Sequence, residues 1–222
     1  MTDVEIVVAT EAVVLMHERC VHWPRTRTLL VADPHFGKAA AFRAAGVPVP
    51  RGTTEETLRR LDAALVRSNA SRVVFLGDFL HAREGRSPET LRAWHEWRVR
   101  HAGIEMVLVR GNHDKRAGDP PAELDIRCEN GPLVDAPFVF SHQPIESGDG
   151  YTLSGHIHPG ARLRGGGRQS LRLPCFWFGE RVAVLPAFGE FTGLADIDVK
   201  PGDRVFVVAD DAVLPATMPS HA

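Results

Sequence analysis

The sequence predicts an α/β fold: two mixed β-sheets packed face to face as a sandwich and flanked by helices. Three observations carry this. The first half alternates strand-like and helix-like segments, the second half is β-rich, and several strand-like segments break off at Asp, Gly or His. The chain has 222 residues, 44% hydrophobic and 24% charged, a balance that suits a globular domain with its own core. It excludes a disordered chain, a coiled coil and a collagen-like repeat. Residues 1–211 are expected to form a single domain, and 212–222, with Pro215 and Pro219, a loose C-terminal tail.

In chain order, Glu5–Ala9, Val13–His17 and Thr28–Ala32 read as strands. Thr53 and Glu56 have capping-box spacing, and Leu58, Leu61 and Leu65 follow at helical spacing, which predicts a helix to about Ser68. Arg72–Leu76 is a short apolar strand. Ser87 followed by Pro88 is an N-cap with proline at the first helical position. The helix it opens carries Leu91, Trp94 and Trp97 on one side, a stripe expected in the core, and ends near Gly103. Ile104–Val109 is the last strand of the alternating half. Phe138–Ser141, Tyr151–Ser154, Ala161–Arg164, Ser170–Phe178, Val182–Leu185 and Arg204–Val208 are strands of the β-rich half.

Lys plus Arg number 26 and Asp plus Glu 28, a formal net charge of −2. No global positive field points to nucleic acid, so such a partner has to be held by a local patch or by metal. Cys20, Cys128 and Cys175 are odd in number and too widely spaced for a metal knuckle or a disulfide framework. Asp3, Glu5 and Glu11 precede or interrupt the first apolar stretch, unlike a secretory leader. No apolar run approaches the roughly 20 residues that span a bilayer. A cytoplasmic protein without a membrane partner is expected.

The chemistry gathers where predicted strands end. Asp33 and His35 follow the strand at Thr28, Asp78 and His81 the one at Arg72, and Asn112, His113 and Asp114 the one at Ile104. His142 follows the strand at Phe138, and His156 and His158 the one at Tyr151. Any one of these alone would more often be a turn former; five strand exits of one chemical kind outweigh that reading. Imidazole, carboxylate and carboxamide without thiolate suit manganese, iron or zinc. Seven candidate ligands (Asp33, His35, Asp78, Asn112, His142, His156 and His158) exceed the three or four of a mononuclear site. The surplus argues for two divalent ions, with Asp78 as the best bridge because it stands between the two ligand groups in chain order. Ions about 3.5–4 Å apart clamp the attacking and leaving oxygens of an in-line displacement. Gly77, Gly111 and Gly155 each precede a ligand and permit close backbone approach.

The ordered set D-x-H, G-D-x-x-H, G-N-H-D, a lone His and G-H-x-H, over residues 33–158, resembles the calcineurin-like metallophosphoesterase superfamily. Asp33-Pro-His-Phe-Gly-Lys38, Phe42-Arg-Ala-Ala-Gly-Val-Pro, Leu173–Phe178 and Leu185–Gly193 resemble its ligase-associated DNA damage response endonuclease (PdeM) group, with Pro34 departing from the expected apolar residue. The resemblance implies that Asp33, His35, Asp78 and His158 hold one ion, and Asp78, Asn112, His142 and His156 the other. It implies that His113 contacts the scissile phosphate and protonates the leaving group, with Asp114 orienting it. It further implies a manganese-dependent DNA phosphodiesterase and endonuclease in DNA repair, associated with a helicase, an exonuclease and a ligase.

His81 reads as an orienter, a substrate contact, or a residue whose hydrogen bond holds its own loop. Arg162, Arg164, Arg168 and Arg172 mark one face of a predicted hairpin with a Gly165–Gly167 tip. That basic face could hold a phosphodiester backbone, or its arginines could simply keep an edge hairpin soluble. Lys38 is a further candidate for phosphate contact. A phosphatase or nucleotide pyrophosphatase for a small substrate would use the same centre, and a non-catalytic binding module would have lost metal.

Overall fold

A computed structural model of the chain describes residues 2–164 and 170–217. The first sheet contains β1 (Val4–Val8), β2 (Glu11–Met16), β3 (Cys20–Trp23), β4 (Thr28–Val31), β5 (Arg72–Phe75), β6 (Glu105–Val109) and β7 (Arg127–Glu129). They lie side by side in chain order; the first four pair antiparallel, and β4 to β7 run parallel. The crossovers between the parallel strands carry α1 (Lys38–Ala44), α2 (Thr53–Ser68), α3 (Pro88–Arg100) and the short α4 (Asp114–Ala117).

The second sheet contains β8 (Leu133–Asp135), β9 (Phe138–Ser141), β10 (Tyr151–Ser154), β11 (Pro159–Arg164), β12 (Ser170–Phe178), β13 (Val182–Val184), β14 (Ala195–Asp196), β15 (Arg204–Ala209) and β16 (Ala212–Ala216). Its β9, β10 and β13 are parallel neighbours, and antiparallel strands flank them.

Strand periodicity decides the layers. Alternate residues of the first sheet, Val21, Trp23, Leu30, Val74 and Val107, meet Phe138, Phe140, Leu153, Phe176 and Phe178 of the second in one buried cluster. The other face of the first sheet, with Leu29, Val73, Phe75 and Leu108, packs under Leu58, Leu61 and Leu65 of α2 and Trp94 and Trp97 of α3. Those tryptophans are core, as their spacing predicts. The outer face of the second sheet carries a third cluster around Cys175 and Val207, covered by Ile197 and Val199 rather than by a helix.

Two expectations are corrected. Residues 212–216 are not a loose tail. They form β16, antiparallel to β15, because Val213 is buried between the sheets and Pro215 sits on an edge strand that asks nothing of its missing N–H. Thr53 is not a capping residue. Gly52, with φ of 85°, holds the N-cap position of α2, so Thr53 lies inside the first turn and accepts from the Thr57 hydroxyl. The Ser87 cap of α3 is present and accepts from the Thr90 N–H at 3.2 Å. The predicted Gly165–Gly167 tip and Arg168 lie outside the described residues.

Candidate metal centre

The parallel strands of the two sheets end at a common edge, and their exits turn inward there. Such an edge is where open α/β sheets leave a crevice. Asp33 and His35 leave β4, Asp78 leaves β5, and Asn112 and His113 leave β6. His142 leaves β9, and His156 and His158 leave β10.

The turns are sharp. Asp33, His35, Asp78, His156 and His158, five of the seven ligand candidates, have φ between 46° and 73°. Side chains other than glycine seldom adopt this left-handed conformation, and it concentrates where function holds a residue in place. Two glycines make room. A Cβ on Gly77 would collide with the His142 ring, and one on Gly111 with the Asp78 carboxylate. Pro34 leaves both of its neighbours in the cluster.

Ligand atoms of Asp33, His35 and His158 lie within 4.8 Å of one another, and so do those of Asp78, His142 and His156. In the first group His35 Nε2 is 3.3 Å from His158 Nε2, which is 3.8 Å from Asp33 Oδ2. In the second, His142 Nε2 is 2.9 Å from Asn112 Oδ1 and 3.0 Å from His156 Nδ1. Asp78 reaches both: its Oδ2 is 3.9 Å from His35 Nε2 and its Oδ1 is 3.5 Å from His142 Nε2. The chain thus brings all seven candidates together.

Asp33, His35, Asp78 and His142 are buried. Burial, with the neighbouring Asp78 charge, pushes the Asp33 carboxyl well above the usual carboxylate range. Burial pushes His35 far down, and burial with the Lys38 charge brings His158 down to about 4. His35 and His158 are therefore neutral donors at neutral pH, and the buried Asp33 carboxylate wants a counter-charge. The donors fit divalent ions on that ground and on another: Asp33 Oδ1 is buried with no hydrogen-bond partner among the described residues. His142 Nδ1–H donates to the Leu76 carbonyl at 3.0 Å, which turns the Nε2 lone pair toward the cluster.

His113 stands at the mouth, its backbone N–H donating to Asp78 Oδ1 at 2.9 Å and its Nδ1–H to the His81 carbonyl at 2.7 Å. Its Nε2 then faces the cluster, 3.9 Å from Asp78 Oδ2. The orienting acceptor is thus His81 rather than Asp114. The Asp114 carboxylate is buried and accepts from Gly111 N at 2.8 Å and Leu80 N at 3.3 Å, so it ties two strand exits together. The His81 ring stacks on His113 with centroids 5.0 Å apart, and its buried Nδ1 has no partner among the described residues. Burial first, then the Lys38 and His113 charges, bring its pKa down to about 4.

Lys38, the first residue of α1, is half-buried near the cluster. Burial lowers its pKa against the opposing pull of Asp33 and Asp78. Arg162 and Arg172 face each other across β11 and β12, and both engage Asp196, at 3.9 and 2.9 Å. No hydrogen bond or ion pair links either arginine to a ligand candidate among the described residues. Sequence reasoning missed Asp196, whose two-residue strand is too short to signal itself. It also missed a grouping of Asp3, His17 and Glu18, which Arg67 closes by pairing with both carboxylates.

Two sheets whose strand exits set one carboxylate, Asp78, between two nitrogen–oxygen donor groups present the donor set of a hydrolase that would hold divalent ions against a phosphate ester. The chain belongs to the calcineurin-like phosphoesterase family, which residues 26–208 match. It is similar to the nuclease MPE of Pseudomonas putida, with 43% identity over 97% of this chain and 100% of that one and a TM-score of 0.86. It also resembles Yfce, a phosphoesterase from E. coli, at 17% identity over 84% of this chain and 95% of that one, with a TM-score of 0.40. No curated protein matches it. The chain is a metal-dependent phosphoesterase.

Proposed function

We propose that the chain is a nuclease that hydrolyses DNA phosphodiesters with two bound divalent ions, manganese foremost, and serves DNA repair. The observation that carries the reading is Asp78 set between two complete nitrogen–oxygen donor groups, in a chain 43% identical to a protein described as a nuclease. When bound, divalent ions supply water activation near neutral pH and neutralise charge on the phosphoryl oxygens.

The protein's own groups do the rest. Asp33, His35, Asp78 and His158 would hold one ion, and Asp78, Asn112, His142 and His156 the other. His113, oriented by the hydrogen bond its Nδ1–H donates to the His81 carbonyl, presents Nε2 to the phosphate; as the imidazolium, protonated on both nitrogens, it passes the Nε2 proton to the departing oxygen and is left neutral. The His81 ring stacks behind it and keeps it in that pose. Lys38 adds positive charge near the phosphate, and Arg162 and Arg172 meet the backbone further along the strand.

The test is a panel of a chromogenic diester, a chromogenic monoester and an oligodeoxynucleotide, each with manganese, iron and zinc. Cleavage of the oligonucleotide and the diester is expected. Monoester turnover with inert DNA would replace this reading with a small-substrate phosphatase.

A further inference from the structure

We propose that Phe191 is a stacking platform for an unpaired nucleobase of the strand whose phosphate enters the metal centre. The inference rests on the nuclease reading and adds a subsite that grips a base rather than a phosphate.

The loop that carries Phe191 is built against the metal ligands. Phe188 N–H donates to the Ala32 carbonyl at 2.8 Å and Gly189 N–H to the Asp33 carbonyl at 3.2 Å. Past the loop, Ala195 N–H donates to the His158 carbonyl at 2.9 Å. The segment therefore runs from one member of the first ligand group to another. Arg60 of α2 fastens its near end. It donates to the Phe188 carbonyl at 2.6 Å, lies over the Phe188 ring at 5.6 Å and pairs with Glu190. The Thr192 hydroxyl closes the turn on the Gly189 carbonyl at 2.9 Å.

Within this pinned loop Phe191 stands out. The residue is 52% exposed and its φ is 58°. A bulky residue in the left-handed region is a conformational outlier, and an exposed phenyl forgoes its burial energy. Among the described residues no aromatic ring or cation packs on the Phe191 ring. Phe191 instead borders a shallow cleft together with His35, Lys38, Thr53 and Thr54. A phosphate held at the ions and Lys38 would place the next group of its chain beside that ring.

In a nucleic acid that group is a base, flat and apolar on both faces. Stacking on an aromatic side chain binds any base, because every base has a π-face. A base inside a duplex has its faces covered by neighbours, so the ring takes only one that is unpaired. A phosphomonoester or a small diester would draw nothing from Phe191.

The experiment compares the manganese-loaded wild type with Phe191→Ala, Phe191→Trp and Phe191→Gly. The substrates are an oligodeoxythymidylate and a strand of equal length built from abasic residues. On the base-bearing strand, Phe191→Ala is expected to lower kcat/KM about tenfold or more, while Phe191→Trp retains activity. On the abasic strand the loss should shrink to about twofold or less. Phe191→Gly relieves the left-handed strain, so it should lose the same activity with an unchanged or higher melting temperature, which separates ring loss from misfolding. Equal losses on both strands, or no loss on the base-bearing one, would overturn the platform while leaving the nuclease reading intact. Failure of the wild type to cleave either strand would remove the nuclease reading, and the platform with it.

Discussion

Asn112 Oδ1 and His142 Nε2 lie 2.9 Å apart, although one leaves the first sheet and the other the second. With His142 Nδ1–H given to the Leu76 carbonyl, both of the facing atoms are acceptors. Two acceptors at this distance repel unless they share a cation, which a divalent ion bound by both would supply. A bound ion would thus join the two sheets at the functional edge, as hydrophobic packing joins them behind it.

Chelation should therefore destabilise the fold. A ligand at about 100 times its Kd adds about 2.7 kcal/mol, and 1 kcal/mol moves the melting temperature of a domain this size by about 2–4 °C. Treatment with a chelator is expected to lower the midpoint by about 5–10 °C and added manganese to restore it. Differential scanning fluorimetry reads this directly, and an unchanged midpoint would mean that the donor groups need no ion.

Asp78→Ala should cost more than the loss of any peripheral ligand, because one carboxylate reaches toward His35 and His142 alike. Diester hydrolysis should fall by at least about a hundredfold. Elemental analysis should show both ions depleted. Full occupancy in the variant would remove Asp78 from the bridge.

His113→Ala separates chemistry from assembly. The ring's Nε2 lies 3.9 Å from Asp78 Oδ2 and the ring packs edge-on against His35 with centroids 4.9 Å apart, and general-acid groups contribute about 10²–10⁴-fold. Activity should drop in that range with metal content close to wild type. Loss of the ions would show that the ring is a ligand.

The candidate donors that the fold gathers were legible in the sequence because each follows a β-rich segment and repeats one chemical theme. The two-sheet order was legible from the change of pattern near residue 110. Other features leave no local mark. Cys20–Trp23 is buried on both faces apart from His22 and lacks the alternation that announces a strand. The segment Ala212–Ala216 is read as loose because of Pro215, yet tertiary pairing overrides it. The role of Asp114 as a tie between strand exits follows from Leu80 and Gly111 approaching it across the fold, a contact between positions 34 residues apart for Leu80. The His113–His81 carbonyl bond is likewise non-local, since backbone acceptors carry no residue signature.

Gly77→Ala tests the steric logic of the site. The residue has φ of 86°, and a Cβ would run into the His142 ring. The backbone cost alone is about 1–3 kcal/mol, and the ring must also rotate away from Leu76 and Asn112. The variant should lose most diester hydrolysis and bind less metal while keeping a cooperative unfolding transition. Wild-type activity would show that the His142 ring can shift without consequence.

Arg172 and Asp196 make opposing predictions on one substrate. Arg172 Nη2 is 2.9 Å from Asp196 Oδ1, and Arg162 approaches the same carboxylate. A carboxylate there offsets the positive charge of the hairpin and would repel an approaching phosphate. If this face carries the DNA backbone, Arg172→Ala weakens oligonucleotide cleavage more than cleavage of a small diester, and the salt dependence of binding falls by about one phosphate contact. Asp196→Asn, which frees both guanidinium groups, acts the other way and raises affinity for the oligonucleotide at low salt. Binding measured by fluorescence anisotropy over a series of salt concentrations distinguishes the cases. Parallel behaviour of the two variants, or equal losses on both substrates, would make the pair a brace between β12 and β14 and move the DNA track elsewhere.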